Sequence, residues 1–188
     1  QISRKEAKTI GLGLMYGMGI SKLAASLDIS PDQAKALKKK YNDNVHFLNN
    51  IIVRATRYTE QNGYINTLLG RKCRFDLWEN KDFHDKRMMS HENAKKTWAW
   101  NEMKRAGTYR ALNRLIQGSA ADQTKKAMVD LWKKLGMVPM IQIHDELNVS
   151  IANETQVTEI KEIMESAVEL HVPVKCEAKL GINWGEIK

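Results

Sequence analysis

The 188-residue sequence has little cysteine, little proline and no long apolar run. Its two cysteines, Cys73 and Cys176, lie far apart and form no metal-type cluster, which favours free thiols in an intracellular chain. No stretch approaches the roughly 18 apolar residues of a membrane span, and no signal peptide is visible. The first residue is Gln rather than Met, so we expect a fragment or a processed product.

The chain has a net charge of +8, and its positive charge is unevenly distributed. Residues 1–110 carry 21 Lys and Arg against 11 Asp and Glu, whereas residues 111–188 carry 9 against 11. The first part therefore suits a polyanion such as nucleic acid or a nucleotide. A solvated basic surface, as in the run Lys38-Lys39-Lys40, is the alternative.

Local sequence signals predict an α+β fold with a long helical first half. Ser3-Arg4-Lys5-Glu6 matches a capping box and predicts a helix from Arg4 to about Tyr16 that ends at Gly17 or Gly19. The other predicted elements are a short helix near Ser21–Leu27, a long helical segment from Ser30-Pro31 to about Gln61, a hairpin or loop over Tyr64–Phe75, helices over about 90–105, Tyr109–Leu135 and Thr155–Leu170, a hairpin around His144-Asp145-Glu146, and a final strand over Val172–Leu180.

One stripe of the first predicted helix carries side chains suited to binding an anion. Because steps of four residues drift by only about 40°, one stripe holds Arg4, Lys8, Leu12 and Tyr16. Two cations near the positive end of a helix dipole are unfavourable unless an anion such as a triphosphate binds there; solvated surface cations are the alternative. Gly11 and Gly13 each cost about 1 kcal/mol relative to Ala, which indicates close packing on the backbone or a helix that moves.

Asp145 and Glu146 are adjacent carboxylates between two apolar, strand-like runs. Such a pair can hold Mg²⁺, which takes one or two carboxylates together with water and substrate oxygens. The apolar setting predicts a partly buried acidic pair that needs a counter-charge, and a polar turn is the alternative. His84-Asp85 and His91-Glu92 are interpreted as surface residues.

Together these motifs resemble the C-terminal part of a family A DNA polymerase, the bacterial DNA polymerase I type. The matching segments are, in order, Arg4-x3-Lys8-x7-Tyr16-Gly17 (motif B), Gly63–Lys72 (GYxxTLxGRR), Asn113–Asp122 (NxxxQGxAAD), Gln142–Leu147 (motif C) and the terminal stretch from Val172 to Trp184. They cover nearly the whole chain in the family's order. Residues 76–108 match weakly and look like an insertion.

The resemblance implies a right-hand-shaped polymerase, with a mostly helical fingers subdomain over residues 1–108. Residues 109–188 would form the C-terminal part of the palm: helix, antiparallel hairpin with motif C, helix and strand. The implied activity is template-directed DNA synthesis, by phosphoryl transfer from a dNTP to a primer 3′-hydroxyl with two Mg²⁺ ions. The implied partners are primer–template DNA, a dNTP and the N-terminal polymerase portion, with no membrane.

The resemblance also implies roles for individual residues. The incoming nucleotide would meet Arg4, Lys8, Leu12 and Tyr16, and Lys8 would donate a proton to the leaving pyrophosphate. DNA would meet Gly17, Arg71, Asn113, Gln117 and His144. Asp145 and Glu146 would be the metal-binding and catalytic carboxylates.

Two departures from the family pattern matter. Leu12 occupies a position where the family usually has Phe or Tyr, so we expect altered discrimination against dideoxynucleotides. No segment resembles motif A, which precedes motif B in the family and supplies the other metal-binding aspartate. We therefore expect the chain alone to be inactive and to need the N-terminal portion, in the same protein or as a second chain.

Two other functions stay open at this point. A single-subunit RNA polymerase has a similar motif B, although Glu146 and the NxxxQGxAAD helix favour DNA synthesis. A non-catalytic nucleic-acid-binding subunit would keep the fold without activity. We expect the cytoplasm of a bacterial or phage-infected cell, with a phage-type enzyme favoured and an organelle left open.

Overall fold

The structure, a computed structural model, describes residues 4–82 and 84–186. Ser3, the predicted N-cap of the first helix, lies outside the described residues, as do the side chains of residues 4–6 and of Thr9. The chain divides into two compact units, Gln1–Ile116 and Gln117–Lys188. Among the described residues, no helix is both long enough and apolar enough to cross a membrane.

The first unit begins with four helices: α1 (Arg4–Met15), α2 (Ile20–Leu27), α3 (Pro31–Asn44) and α4 (His46–Asn62). The predicted start at Ser30 is confirmed, because the Ser30 hydroxyl accepts from the Gln33 N–H (3.2 Å) and the Gln33 side chain accepts from the Ser30 N–H (2.9 Å). The long segment predicted to reach Gln61 is broken at Val45 (φ −123°, ψ 52°). The Asn44 amide donates to the Lys40 carbonyl at 2.7 Å, the kind of local bond with which Asn competes with helix continuation.

Two apolar cores organise these helices within the first unit. Ile10 and Leu14 of α1 pack with the buried residues Leu23, Ala24 and Ala34 of the next two helices. The predicted hairpin is confirmed as β1 (Tyr64–Asn66) paired antiparallel with β2 (Lys72–Arg74). It packs with α4 in the second core, whose buried members are Leu48, Ala55, Ile65, Phe75, Ala111 and Leu112.

Residues 77–105, inside the predicted insertion, form a small sheet with one short helix. The sheet contains β3 (Leu77–Asn80), β4 (Met88–Ser90) and β5 (Met103–Arg105) in the order β4-β3-β5, all antiparallel, and the helix is α5 (His91–Thr97). The predicted helix over 90–105 is therefore wrong in its second half. Pairing with β3 uses the backbone groups of β5, and Met103 is buried beside Ala94 and Trp98.

Two side chains interpreted as surface residues are half-buried instead. Asp85 accepts hydrogen bonds from Arg87 (Nη2, 2.7 Å) and from the Trp98 indole (Nε1, 3.0 Å). The hydrogen-bonded Arg87 guanidinium holds the pKa of the Asp85 carboxyl well below its usual range. His91 stacks on Trp78 with ring centroids 4.6 Å apart. The sequence pattern missed both because burial comes from distant rings, Trp98 for Asp85 and Trp78 for His91.

The second unit contains most of α6 (Ala111–Leu135), the hairpin β6 (Ile141–Ile143) and β7 (Glu146–Asn148), and α7 (Thr155–Ser166). The predicted end of α6 at Leu135 is confirmed, with Gly136 (φ +67°) following it, whereas the predicted start near Tyr109 is a 3₁₀ turn, Thr108–Arg110, and α6 begins at Ala111. The core of the second unit joins Leu131 to Ile160 and Ile163, with Leu147 of β7 packed against them. The last predicted turn of α7 is absent, and the Ser166 hydroxyl donates to the Glu162 carbonyl at 2.6 Å.

The predicted final strand does not form over residues 172–180. The Cys176 N–H donates to the Glu165 carboxylate of α7 at 2.9 Å instead of to a neighbouring strand. Val172 and Leu180 remain 67% and 55% exposed. Alternating apolar residues form a strand only beside a partner strand, and the described sheet of this unit has only the two strands β6 and β7.

Candidate active site

Two members of the predicted stripe of α1, Lys8 and Leu12, face away from the core. Ile10 and Leu14 are 4% and 6% exposed, whereas Leu12 is 39% exposed and Lys8 is exposed as well. Two residues along a helix turn by about 200°, so burial of Ile10 and Leu14 turns Lys8 and Leu12 toward solvent. Arg4 begins α1, but its side chain lies outside the described residues.

The end of α1 holds Tyr16 in a defined turn. Tyr16 still donates its N–H to the Leu12 carbonyl at 3.0 Å, and Gly17 then adopts a left-handed φ of +80°. The Gly17 N–H donates to Leu14 (3.1 Å) and the Met18 N–H to Gly13 (2.8 Å), the bond pair of a Schellman motif. Tyr16 is thereby fixed, half-buried, at the end of the stripe.

The two helical glycines of α1 have different surroundings. A Cβ atom on Gly13 would lie 2.5 Å from the Met18 Cε, so the Met18 side chain packs against the bare backbone. A Cβ on Gly11 would meet no described atom within 4 Å. Close packing therefore explains Gly13 and does not explain Gly11.

The loop between β1 and β2 presents Arg71. Thr67 is buried, its hydroxyl accepts the Arg71 N–H at 3.0 Å, and its own N–H donates to the Arg71 carbonyl at 2.9 Å. Gly70, at φ +84°, donates its N–H to the Thr67 carbonyl at 2.9 Å. This closed loop explains the Thr and Gly of the segment and leaves the Arg71 side chain exposed.

Asn113 and Gln117 lie four residues apart on α6 and therefore share one face of that helix. Asn113 is half-buried and Gln117 is exposed. The neighbouring Arg114 anchors the start of α6, since it donates to the Arg74 carbonyl at 2.8 Å and its guanidinium lies 4.4 Å over the Phe75 ring.

The acidic residues occupy the tip of the β6–β7 hairpin. Ile143 pairs with Glu146, which leaves His144 and Asp145 as a two-residue turn. His144 has a left-handed φ of +54°, a conformation that favours glycine and is uncommon for other residues. The Gln142 amide donates to the His144 carbonyl at 2.5 Å. His144, Asp145 and Glu146 are all exposed, so the predicted partial burial of the acidic pair is wrong.

The exposed carboxylates suit an open Mg²⁺ site better than a closed one. Within residues 4–82 and 84–186, no group of three or more His, Cys, Asp or Glu side chains is arranged to hold a metal ion. Mg²⁺ takes few protein ligands and completes its octahedron with water and phosphate oxygens. The donor chemistry of Asp145 and Glu146 fits that pattern.

A cavity of about 430 Å³ in the first unit lies apart from these residues. Its lining consists of Ile51, Arg54, Ala55, Tyr58, Ile65, Asn66 and Leu115. None of the predicted site residues contributes to it, so we do not assign the active site to it.

Comparison with known proteins gives the family directly. The model of DNA polymerase family A matches residues 1–186. The chain belongs to this family. Because the matching model describes DNA polymerases, it favours a DNA polymerase over the single-subunit RNA polymerase considered above.

Three relatives named as DNA polymerases show how much of such a protein the chain represents. It is 31% identical to the DNA-directed DNA polymerase of Pseudomonas phage M6, over 98% of this chain and 29% of that protein. It is also 31% identical to DNA polymerase I of Borreliella burgdorferi, over 98% of this chain and 19% of the relative. It is 31% identical to the thermostable DNA polymerase I of Thermus filiformis, over 98% of this chain and 21% of that protein. The chain thus spans less than a third of the length of these relatives.

A solved structure agrees with the family A assignment. The POL domain of Pol1 from M. smegmatis, in complex with DNA primer-template and dNTP, superposes with a TM-score of 0.68. The two chains are 28% identical, and the superposed part covers 92% of this chain and 29% of the solved one. The α+β fold expected from the sequence is thereby confirmed.

Sequence reasoning missed two residues that connect elements of the first unit. Arg105 donates to the Glu60 carbonyl (Nε, 3.2 Å) and to the Phe75 carbonyl (Nη1, 3.2 Å), which ties β5 to the end of α4 and to β2. Tyr109 lies beside Gly17, 3.9 Å from the position of a Cβ there. The signal for Tyr109 was its place just before the NxxxQGxAAD helix, whereas nothing in the sequence marked Arg105.

Proposed function

We propose that this chain is the fingers and C-terminal palm portion of a DNA polymerase that extends a primer on a DNA template. Residues 1–108 are the proposed fingers and residues 109–188 the proposed palm portion. The relatives named as DNA polymerases and the neighbour bound to DNA primer-template and dNTP support the proposal. A bacterial or phage-infected cell as the setting follows from the sources of those relatives.

The observation that carries the proposal is the turn at His144 and Asp145. The left-handed φ of His144 is the conformation that a two-residue hairpin turn requires at its first position, and this turn places Asp145 and Glu146 side by side, both exposed, at the hairpin tip. A site for divalent cations and phosphate oxygens gives the turn a function, because bound cations offset the repulsion between Asp145 and Glu146.

The nucleotide side of the proposed site is the exposed stripe of α1. Arg4 and Lys8 bind the triphosphate, and Lys8 donates a proton to the pyrophosphate as it leaves. Leu12 contacts the sugar. Tyr16, fixed by the turn at Gly17, lies beside the templating base. These groups act by positioning and by neutralising charge that develops on the transferred phosphoryl group.

Asp145 and Glu146 would hold Mg²⁺, shared with a carboxylate from outside these 188 residues. When bound, Mg²⁺ neutralises charge on the attacking and leaving oxygens. His144 contacts the primer end and Arg71 contacts a DNA phosphate. Asn113 and Gln117 donate to minor-groove acceptors, which every correct base pair presents.

The proposed site needs the N-terminal polymerase portion. The exposed apolar residues of the β6–β7 hairpin support this, since Ile141 and Ile143 are 40% and 38% exposed. A two-stranded hairpin is marginally stable alone, and further strands on its open edge would cover these side chains.

Primer extension tests the proposal. The complete polymerase, with the N-terminal portion in the same chain or as a second chain, should add dNTPs complementary to the template in the presence of Mg²⁺. The isolated 188-residue chain should give no detectable extension. Extension by the isolated chain would contradict the need for the N-terminal portion, and failure of the complete polymerase on any template would support the non-catalytic alternative.

A further inference from the structure

Three rings of the 77–105 segment form an aromatic cluster, in which Trp78 and His91 are half-buried and Trp100 is exposed. His91 stacks on Trp78 at 4.6 Å with an interplanar angle of 21°. Trp100 lies 5.7 Å from Trp78 and 6.0 Å from His91, centroid to centroid. Trp100 nevertheless remains 66% exposed. The exposed face of Trp100, beside two other rings, is a surface on which a ligand with its own flat face can stack.

The scaffold contacts the cluster at Trp78 and at the backbone around Trp100. Trp78 is on the central strand β3, and the Arg105 guanidinium of the paired strand β5 lies 4.9 Å over its ring. Trp100 begins the 3₁₀ turn Trp100–Glu102, which the Ala99 N–H closes by donating to the Glu102 carboxylate at 3.1 Å. These contacts hold the Trp78 ring and the backbone at Trp100, which reduces the freedom that is lost when a ligand stacks there.

The charge around the cluster favours an anion. Lys81 donates to the Asn101 carbonyl at 2.6 Å, which holds its ammonium beside Trp100. Four carboxylates lie close to these residues in sequence or space, and each has a partner: Glu79 pairs with Lys104 at 3.6 Å, Glu92 pairs with Lys96 at 2.9 Å, Asp82 accepts the His84 N–H at 3.0 Å and Glu102 is used in the 3₁₀ turn. Residues 77–105 carry seven Lys and Arg against five Asp and Glu. Exposed aromatic faces beside cations are the surface on which single-stranded nucleic acids stack.

We infer that the aromatic cluster binds the single-stranded template overhang of the polymerase's DNA substrate. A base stacks on Trp100, and Lys81 contacts the adjoining phosphate. This surface is additional to the residues proposed for nucleotide and primer–template binding. The inference rests on the proposed function for the identity of the strand.

Binding measurements with two substrates test the inference on the complete polymerase. Fluorescence anisotropy would report the affinity for a labelled primer–template with a template overhang of about 12 nucleotides, long enough to reach a separate stacking surface. The second substrate carries a single-nucleotide overhang. Trp100→Ala should weaken binding to the long overhang about tenfold and leave the short one unchanged, while Trp100→Phe, which keeps a ring, should retain most of the affinity.

The control is Trp132→Ala, which removes another exposed indole, 60% exposed on α6, and should change neither affinity. Lys81→Met should weaken long-overhang binding at low salt and converge with the wild type at high salt, because it removes one phosphate contact. Unchanged long-overhang affinity in Trp100→Ala would overturn the inference and leave a protein partner as the occupant. Failure of the wild type to bind even the short-overhang substrate would overturn the proposed function as well.

Discussion

Single residues of α1 owe their exposure to the burial of their neighbours. Ile10 and Leu14 pack into the first core, which turns Lys8 and Leu12 outward. The Schellman turn at Gly17 then fixes Tyr16 at the end of the same stripe. At the residue scale, the helix therefore presents a cation, an aliphatic group and an aromatic ring in a set order along one side.

Leu12 is the residue at which sugar selection can be tested. Leu12→Tyr adds a hydroxyl that can take over the hydrogen bond a dideoxynucleotide lacks, so the preference for deoxy over dideoxy substrates should fall. One hydrogen bond of about 1 kcal/mol corresponds to roughly a fivefold change. The measurement is the ratio of dideoxy to deoxy incorporation by the complete polymerase. Leu12→Phe, which adds the ring without the hydroxyl, is the control, and equal ratios in all three proteins would contradict the assigned position of Leu12.

Strands β6 and β7 position the acidic turn, in which His144 has a left-handed conformation that can be tested by substitution. His144→Gly should relieve the left-handed conformation, so stability should stay equal or rise by up to about 1 kcal/mol. Primer extension by the complete polymerase should nevertheless fall about tenfold, because the proposed contact with the primer end is lost. Thermal unfolding and extension rates would be measured on the same preparation.

Asp28→Gly is the matched control, since Asp28 has the same φ of +54° at the end of α2. It should affect stability in the same direction and leave the extension rate unchanged. Equal extension rates for His144→Gly and the wild type would show that His144 is only a turn residue.

The loop between β3 and β4 contains Asp85, whose contact with Arg87 should make stability depend on pH. Its pKa is lowered in the folded state by Arg87, so the charged carboxylate stabilises the fold above its ordinary pKa of 3.8. That stabilisation is lost as the pH falls below this value toward the lowered one. The difference in unfolding midpoint between wild type and Asp85→Asn should therefore be constant above about pH 5 and shrink below about pH 4. Tryptophan fluorescence during unfolding would follow it, and a pH-independent difference would contradict the assignment.

How well each element could be predicted from the sequence depends on where its partners lie. The Ser30 cap, the helix ends near Gln61 and at Leu135 and the acidic hairpin depend on neighbours in sequence, and the structure confirms all of them. The second half of the 90–105 helix and the 172–180 strand depended on distant pairing and were predicted wrongly. Burial of Asp85 and His91 likewise came from contacts that no local pattern encodes.

At the scale of the whole molecule, the chain consists of two units that carry different parts of the proposed chemistry. The first unit carries the cationic stripe, the Arg71 loop and the aromatic cluster, and the second carries the carboxylates. This division matches the charge distribution, since residues 1–110 hold the positive excess. The family match spans both units, so both belong to one polymerase segment.

The most direct measurement of the central claim is single-turnover incorporation of one dNTP by the complete polymerase with Asp145→Asn. This change keeps the size of the side chain and removes its charge, so we predict a loss of at least about a thousandfold in rate. Glu154→Gln, which removes an exposed carboxylate from the same unit, is the control and should leave the rate unchanged. A rate for Asp145→Asn within a few-fold of the wild type would contradict the claim that this chain supplies catalytic carboxylates.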